Sequence, residues 1–235
     1  MGRRVPRRRS EDGTTLAELH DATEHYLETI FSLEEEGVRP IRARIVERLG
    51  LSAAAVSETV ERLIDQGHVE LLADRGLQLT PQGRRLATSV IRRHRLAERL
   101  LHDVIGIEWE KVHIEADRWE HAISSEVEAK LVELLGDPGT CPHGNPIPGS
   151  AHRENLGPTT TLAQASLGEV RVARVSEKLE LDDDGIRLVA QAGLTPGCDA
   201  TVIESGRDSV SVRTATGEHR VPPRVAEQLH VTVGV

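Results

Sequence analysis

The sequence concentrates potential metal ligands in residues 113–121, H-I-E-A-D-R-W-E-H. His113, Asp117 and His121 are spaced four residues apart and Glu120 follows Asp117 by three, so a helix would place all four along one stripe. Imidazoles and carboxylates crowded together are costly to bury unless a cation compensates them. Because this ligand type suits Mn²⁺, Fe²⁺, Co²⁺ or Zn²⁺ and disfavours Cu⁺, the segment predicts a site for a divalent metal.

Two further pairs have helical spacing, namely His94 with Glu98 and His25 with Glu28. The chain has 11 His and 38 Asp and Glu residues, so such pairs also arise by chance. A solvated helix face explains either pair taken alone. The pairs become informative only if the fold brings them close to the 113–121 segment.

The composition, with 38% hydrophobic and 29% charged residues in 235, is typical of a soluble globular protein. No apolar run reaches the roughly 18 residues of a membrane span, and M-G-R-R-V-P-R-R-R-S lacks the apolar core of a secretory signal. Cytoplasmic residence without membrane association is therefore predicted. Cys141 and Cys198 are far apart, so we expect two ordinary thiols and neither a disulfide framework nor a zinc finger.

Residues 16–80 have the pattern of a winged helix-turn-helix DNA-binding domain. A helix is predicted from about Leu19 to Glu36, and a short one over 41–49. A Gly-Leu-Ser turn follows, with Ser52 as the cap of a helix over 53–66. Two short strands around Asp-Arg-Gly would form the wing. A generic small α+β domain is the alternative, and residues 1–15 are predicted to be a basic disordered tail.

Residues 81–150 are predicted to be an all-α domain, with Thr80 capping a helix from Pro81 to Val104 and further helices over 109–123 and 125–135. Trp119 is expected in its core. Residues 151–166 read as a linker, and 167–235 alternate like the strands of an SH3-like β-barrel. The predicted fold class is thus mainly α with α+β elements.

The net charge of −9 at first argues against nucleic acid, and residues 1–79 hold 11 Lys and Arg against 15 Asp and Glu. Their arginines are grouped, however, in the first nine residues and again at Arg42, Arg44, Arg48 and Arg62. Local potential governs phosphate contact more than the overall sum. The charge balance therefore leaves DNA binding open.

Four segments together resemble the diphtheria-toxin-repressor family of iron- or manganese-dependent transcriptional repressors. They are A-T-E-H-Y-L-E-T-I, R-H-R-L-A-E-R-L-L, E-K-V-H-I-E-A-D-R-W-E-H and H-G-N-P-I-P-G. The likeness covers residues 16–150 well and the β-rich remainder more weakly. It implies a homodimer that binds double-stranded operator DNA and controls genes of metal homeostasis, and it implies no enzymatic activity.

The resemblance also implies two metal ions per subunit. The ligands of the regulatory site would be His25, Asp117, Glu120 and His121, with Glu28 as an additional acid. The second site would combine His94, Glu98 and His113 with two residues of the C-terminal barrel, Glu177 and Glu180.

The identity of the metal is predicted from where this chain departs from its relatives. Iron-responsive members usually carry Met at the position of His25 and Cys at that of Asp117, and neither sulfur ligand is present. Manganese-responsive members carry carboxylates there and an acid matching Glu28. Since harder oxygen ligands favour Mn²⁺, manganese is the predicted effector. The nitrogen donor of His25 keeps Fe²⁺ open as the alternative, and Co²⁺ or Zn²⁺ could substitute in vitro.

For DNA contact, the resemblance implicates the second helix of the helix-turn-helix and the arginines near it. The candidates are Arg42, Arg44, Ser52, Ser57, Glu58, Thr59 and Arg62. Simple helix capping is the alternative for each serine, and Glu58 would either accept from a cytosine amino group or be repelled by phosphate.

Two other classes of function remain as alternatives. One is a metalloenzyme, against which the chain lacks H-E-x-x-H and an evident nucleophile and base. The other is a metal-independent winged-helix repressor that binds a small molecule and leaves its acidic stripe solvated.

Overall fold

The computed structural model describes residues 16–152 and 157–233, so the predicted basic tail at 1–15 lies outside the described residues. The chain divides into two compact units, Met1–Val90 and Ile91–Val235, and the division falls within one helix. Among the described residues, no helix combines the length and apolar character needed to cross a bilayer.

The first unit is a winged helix-turn-helix, as predicted. Apolar residues of its first three helices and its hairpin, including Leu27, Ile45, Val60 and Leu79, share one core. Its elements are α1 (Leu16–Glu35), α2 (Arg42–Leu49), α3 (Ala53–Asp65), the antiparallel strands β1 (Val69–Leu71) and β2 (Leu77–Leu79), and the beginning of α4 (Pro81–Arg99).

Local signals fix the ends of these helices. Gly50 ends α2 in the left-handed conformation with φ of 64°, which glycine adopts without strain. The hydroxyl of Ser52 accepts a hydrogen bond from the Ala55 amide at 3.2 Å and so caps α3. The Thr80 hydroxyl accepts from the Gly83 amide at 3.0 Å and caps α4. Both caps confirm the predicted helix starts.

Replacing Gly83 with Ala is expected to destabilise the first unit, although alanine is ordinarily the better helix former by about 1 kcal/mol. A Cβ at Gly83 would lie 2.0 Å from the backbone oxygen of His68, so the helix and the hairpin would have to separate. We expect a net loss of about 2 kcal/mol. Hydrogen exchange of peptides from residues 16–90 would measure it.

The control for this substitution is Gln82→Ala, on the exposed side of the same helical turn. Its effect should stay within about 0.5 kcal/mol. Protection in Gly83→Ala equal to or above that of the parent protein would contradict the steric argument.

The helical part of the second unit is less regular than predicted. The chain of α4 continues as a π-helix, Leu100–Ile105. The expected helix over 109–123 is a 3₁₀ turn (Trp109–Lys111), α5 (Val112–Trp119) and another 3₁₀ turn (Glu120–Ala122). Extended backbone at Ile123 and Ser124 then lets the Ser124 side chain cap α6 (Ser125–Leu135), which is why α5 cannot run on.

Residues 157–233 contain a six-stranded antiparallel sheet in the order β3-β8-β4-β5-β6-β7, consistent with the predicted SH3-like domain. The sheet begins inside the predicted linker, since Thr160 pairs with Val231 and Leu162 is fully buried. Its elements are β3 (Thr160–Thr161), β4 (Gly168–Val175), α7 (Glu177–Glu180), α8 (Asp183–Gln191), β5 (Asp199–Ser205), β6 (Val210–Thr214), β7 (Gly217–Val221), α9 (Pro223–Ala226) and β8 (Leu229–Val233).

The two tryptophans have opposite environments. Trp109 packs into the core of the C-terminal sheet and donates a hydrogen bond from Nε1 to the Pro142 carbonyl at 2.8 Å. Trp119 is 37% exposed, so the expectation that it is a core residue is wrong. Trp109 thus joins the helical part, the 140–149 loop and the sheet within the second unit.

Candidate metal centre

A buried cluster of imidazoles and carboxylates surrounds Glu98 in the second unit. Its Oε1 lies 3.3 Å from His94 Nε2, 3.4 Å from His113 Nδ1 and 3.1 Å from His143 Nδ1. Glu180 Oε2 faces the last two rings, at 2.8 Å from His113 Nδ1 and 3.3 Å from His143 Nδ1. These side chains therefore direct nitrogen and oxygen donors at a common centre.

Four separate elements supply the cluster. His94 and Glu98 lie one turn apart on α4, and His113 lies on the first turn of α5. Glu180 ends the short helix α7, which begins where the Ser176 hydroxyl accepts from the Leu179 amide. Cys141 and His143 come from the loop between α6 and β3, and their donor atoms lie within 4.8 Å of each other and of a Glu98 oxygen.

The Trp109 backbone fixes the orientation of the His143 ring. His143 Nε2 lies 3.2 Å from the carbonyl oxygen of Trp109 and donates to it. The other nitrogen, Nδ1, is the one that faces Glu98 and Glu180. A backbone carbonyl in this role is the usual outer partner of a metal-binding histidine.

The cluster fits a divalent transition metal by two criteria. Metal–donor bonds of about 2.1 Å place neighbouring ligands about 3.0 to 3.4 Å apart in octahedral or tetrahedral geometry, and the donor atoms here are 2.8–3.4 Å apart. In addition, Glu98 Oε2 is buried without a hydrogen-bond partner among the described residues. A cation bound beside this oxygen would compensate it.

Protons balance the charges of the cluster when no ion is bound. Burial alone would lower the histidine pKa values, but the Glu98 and Glu180 carboxylates outweigh it. They raise the pKa of His113 to about 10 and that of His143 above its ordinary value. The pKa of His94 is likewise held well above 6.5, by Glu98 and Glu120.

The pKa values of the acidic partners shift in the opposite direction. Burial would raise the carboxyl pKa values, yet the neighbouring imidazoles, His143 foremost, hold the pKa of Glu98 well below its usual range and lower that of Glu180. Burial together with these carboxylates raises the pKa of the Cys141 thiol, which keeps it neutral in the ion-free protein.

A second arrangement of potential ligands shares His94 with the Glu98 cluster. While His94 Nε2 faces Glu98, its Nδ1 lies 2.5 Å from Glu120 Oε2. The other oxygen of this fully buried glutamate, Oε1, lies 3.3 Å from His121 Nε2 and has no hydrogen-bond partner among the described residues. Glu120 thus keeps one carboxylate oxygen available beside an imidazole.

The structure divides the 113–121 quartet rather than keeping it on one stripe. His113 joins the Glu98 cluster, whereas Glu120 and His121 form the second arrangement and Asp117 lies half-buried on α5 between them. The four side chains do not form one group, because His113 lies against Glu98 and Glu180, whereas Glu120 lies against His94.

The remaining predicted ligands are placed as follows. Glu180 is in the Glu98 cluster, and Glu177 starts the same short helix, where it is half-buried. His25 and Glu28 lie one turn apart on α1 in the first unit, the former half-buried and the latter buried.

Sequence reasoning missed two residues of the cluster. Cys141 was expected to be an ordinary thiol, and His143 was not singled out. Both lie in C-P-H-G-N-P-I-P-G, where a cysteine and a histidine two residues apart precede a turn. That spacing was the available signal, although nothing in it indicates the distant Glu98.

In the first unit, the predicted DNA-contact residues lie on α2, at the cap of α3 and along α3. Ser52 and Glu58 are exposed, and Ser57, Thr59 and Arg62 are half-buried. Ser57 Oγ donates to the Ala53 carbonyl at 2.8 Å within α3, and helix capping applies to Ser52, whose hydroxyl accepts from the Ala55 amide.

Two of the three arginines of α2, the two predicted to contact DNA, are engaged in ion pairs at the surface of the first unit. Arg42 pairs with Glu61, and Arg44 lies 2.8 Å from Glu47. Both pairs are at the surface, where such contacts are worth about 1 kcal/mol or less, so a phosphate could displace the carboxylates.

Comparison with known families gives two adjacent matches. Residues 18–77 match the family model described as the N-terminal DNA-binding domain of iron-dependent repressors, and residues 80–149 match the metal-binding and dimerisation domain. The iron-dependent repressor IdeR of Mycobacterium tuberculosis is 46% identical over 215 residues, covering 83% of this chain and 94% of that repressor. The diphtheria toxin repressor of Corynebacterium diphtheriae is 44% identical, covering 80% and 87%.

Solved structures agree with these matches. A manganese-dependent transcriptional repressor in complex with manganese has a TM-score of 0.78 at 30% identity, covering 90% of this chain and all of that one. IdeR from T. acidophilum has a TM-score of 0.73 at 31% identity, covering 90% and 97%.

Proposed function

Because this chain belongs to the diphtheria-toxin-repressor family of metal-dependent transcriptional repressors, we propose that it binds operator DNA as a homodimer when manganese is bound. The proposal includes cytoplasmic residence and control of metal-homeostasis genes. The observation that carries it is the convergence of buried imidazoles and carboxylates around Glu98, next to a second such arrangement at Glu120.

The Glu98 cluster is proposed to hold one ion through His94, His113, His143 and Glu180 as well as Glu98, with Cys141 close by. These residues come from both the helices and the C-terminal sheet domain. The proposed role of this ion is to fasten the sheet domain to the helical part of the same unit. Glu177, at the start of α7, remains a predicted ligand of the same ion.

The regulatory ion is proposed to take His25 and Glu28 from α1 together with Asp117, Glu120 and His121. When bound, it supplies positive charge that compensates the carboxylates and ties α1 to the metal-binding helices. Packing within the chain then transmits this constraint from α1 to α3. Leu27 and Ile30 of α1 share a core with Val56 and Val60 of α3, so fixing α1 also fixes α3.

A fixed α3 matters because two such helices in a dimer would have to enter major grooves about 34 Å apart. The exposed face of α3 begins with Ala53, Ala54 and Ala55, small residues that allow close approach to bases. Apolar side chains that are exposed on the second unit, including Val104, Ile105 and Ile114, support a dimer contact there.

Manganese is proposed for the regulatory ion because Glu28, Asp117 and Glu120 offer hard oxygen donors and no sulfur. Iron(II) is the second candidate. Several relatives that are 45–46% identical are named iron-dependent repressors, which favours iron(II). Manganese regulators appear among the structural neighbours at 26–31% identity.

A gel shift on the protein's own promoter region, titrated with Mn²⁺, Fe²⁺, Co²⁺ and Zn²⁺, tests the proposal. Asp117→Ala should raise the metal concentration for half-maximal DNA binding by about tenfold to a hundredfold, because a ligand of the regulatory ion is lost. Asp208→Ala, an equal charge change at an exposed position, should leave it unchanged.

The outcomes separate the alternatives. A response at lower Mn²⁺ than Fe²⁺ supports manganese, and the reverse order, under anaerobic conditions, supports iron(II). DNA binding that needs no metal, or that Asp117→Ala does not alter, would overturn the proposed mechanism and favour a metal-independent repressor.

A further inference from the structure

The two oxygens of the Glu180 carboxylate have different partners. Oε2 faces His113 Nδ1 and His143 Nδ1, at the centre of the proposed ion site. Oε1 accepts a hydrogen bond from the Asn145 side-chain amide at 2.7 Å. One oxygen is therefore directed at the cluster while the other is held away from it.

Asn145 is itself fixed on several sides. It is only 4% exposed, and its amide nitrogen also donates to the Val175 carbonyl at 3.0 Å. Its side-chain oxygen accepts from Arg174 Nη1 at 3.3 Å, so the guanidinium determines which end of the amide faces Glu180. These contacts therefore ensure that the amide nitrogen of Asn145, and not its oxygen, faces Glu180.

The loop carrying Asn145 is held tightly against β4. The Val175 amide donates to the His143 carbonyl at 2.9 Å, and the Cys141 amide donates to the Asn145 carbonyl at 2.8 Å. At Gly144, where φ is 83°, a Cβ would lie 2.2 Å from the Ala173 oxygen. His143 and Asn145 are therefore held in one rigid loop.

From these contacts we infer that Asn145 is a positioning residue that makes Glu180 a one-oxygen ligand and thereby limits the coordination number of the cluster. This rests on the proposed function of the cluster as an ion site. Ca²⁺ prefers six to eight oxygen ligands and readily takes both oxygens of a carboxylate. By withholding Oε1, Asn145 favours transition metals over Ca²⁺.

Co²⁺ is a suitable probe because its visible absorption weakens as its coordination number rises. The part of the Co²⁺ spectrum that Glu98→Gln removes is assigned to this cluster. In Asn145→Ala, that part should weaken, Co²⁺ affinity should fall by about tenfold to a hundredfold, and Ca²⁺ should compete more effectively.

Ser150→Ala is the matched control, since Ser150 Oγ also bonds within the loop, donating to the Asp137 carbonyl at 3.1 Å, but does not contact the cluster. It should keep the parent spectrum and affinity. Asn145→Ser serves as the second variant if Asn145→Ala does not fold, and the same changes are expected of it.

An unchanged Co²⁺ spectrum and affinity in a folded Asn145 variant would overturn the inference while leaving the ion site intact. Equal losses in Ser150→Ala would also overturn it, because they would reflect general loosening of the loop. Absence of Co²⁺ binding that depends on Glu98 in the parent protein would overturn the proposed ion site and the inference with it.

Discussion

Replacing Glu98 with Gln is expected to lower the affinity of the buried cluster for Mn²⁺ or Co²⁺ by on the order of a hundredfold or more. Glu98 Oε1 lies within 3.4 Å of three imidazole nitrogens, so it is the donor that the other ligands surround. Gln has nearly the same shape but no charge. Equilibrium dialysis should show the loss of one bound ion per subunit.

The matched control is Glu126→Gln, which removes the same charge from an exposed position in the first turn of α6. It should bind as many ions as the parent protein, with the same affinity. If Glu98→Gln retained both stoichiometry and affinity while remaining folded by circular dichroism, the Glu98 cluster would not be an ion site.

The parts of the fold that could be predicted are those encoded by neighbouring residues. Ser52 and the Thr80-Pro81 pair mark helix starts, and their side-chain caps act within three residues of the signal. The winged helix-turn-helix follows because its hydrophobic pattern and its turns are both local. The break of the predicted 109–123 helix into α5 and two 3₁₀ turns was harder to predict from the sequence, because it depends on how Ser124 starts the next helix.

The candidate site was predictable to the extent that its residues share an element. His94 and Glu98 are one helical turn apart, and their spacing alone brings them together. Glu180 was predicted as a ligand only through the family resemblance, because nothing near it in the sequence identifies a partner. Cys141 and His143 were missed because their approach to Glu98 depends on a loop that is packed on β4 through Gly144. Such long-range placement has no periodic signal.

The quartet at 113–121 shows how spacing can be correct and still mislead. His113 and Asp117 do share α5. His113, however, lies against Glu98 and Glu180, whereas Glu120 lies against His94. Helical spacing states which side chains are neighbours on one helix. It does not state which other elements pack against each of them, and those elements decide the grouping.

The ion-free protein is expected to lose stability between about pH 6.5 and 10, whereas its metal affinity should rise over the same range. His113 has a pKa of about 10 in the folded protein, against about 6.5 in an unfolded chain. Between these values the folded state keeps a proton that the unfolded state has released. The stabilisation is therefore complete below pH 6.5 and is lost as the pH approaches 10.

The other histidines of the cluster change the stability of the ion-free protein in the same direction. His94 and His143 also have raised pKa values, while the lowered pKa values of Glu98 and Glu180 matter only under acidic conditions. We expect a loss of a few kcal/mol, or a fall of about 10 °C in the melting temperature. His113→Gln should flatten this pH dependence, and His152→Gln, at an exposed position, should not.

Metal binding has the opposite pH dependence because a coordinating imidazole must give up its proton. Each proton displaced should make the affinity about tenfold tighter per pH unit over this range. Calorimetric titrations of Mn²⁺ in buffers of different ionisation enthalpy would count the protons released. A melting temperature that stays constant in the ion-free protein, together with no proton release on Mn²⁺ binding, would mean that protons do not hold the cluster together and that His113 is not ionised there.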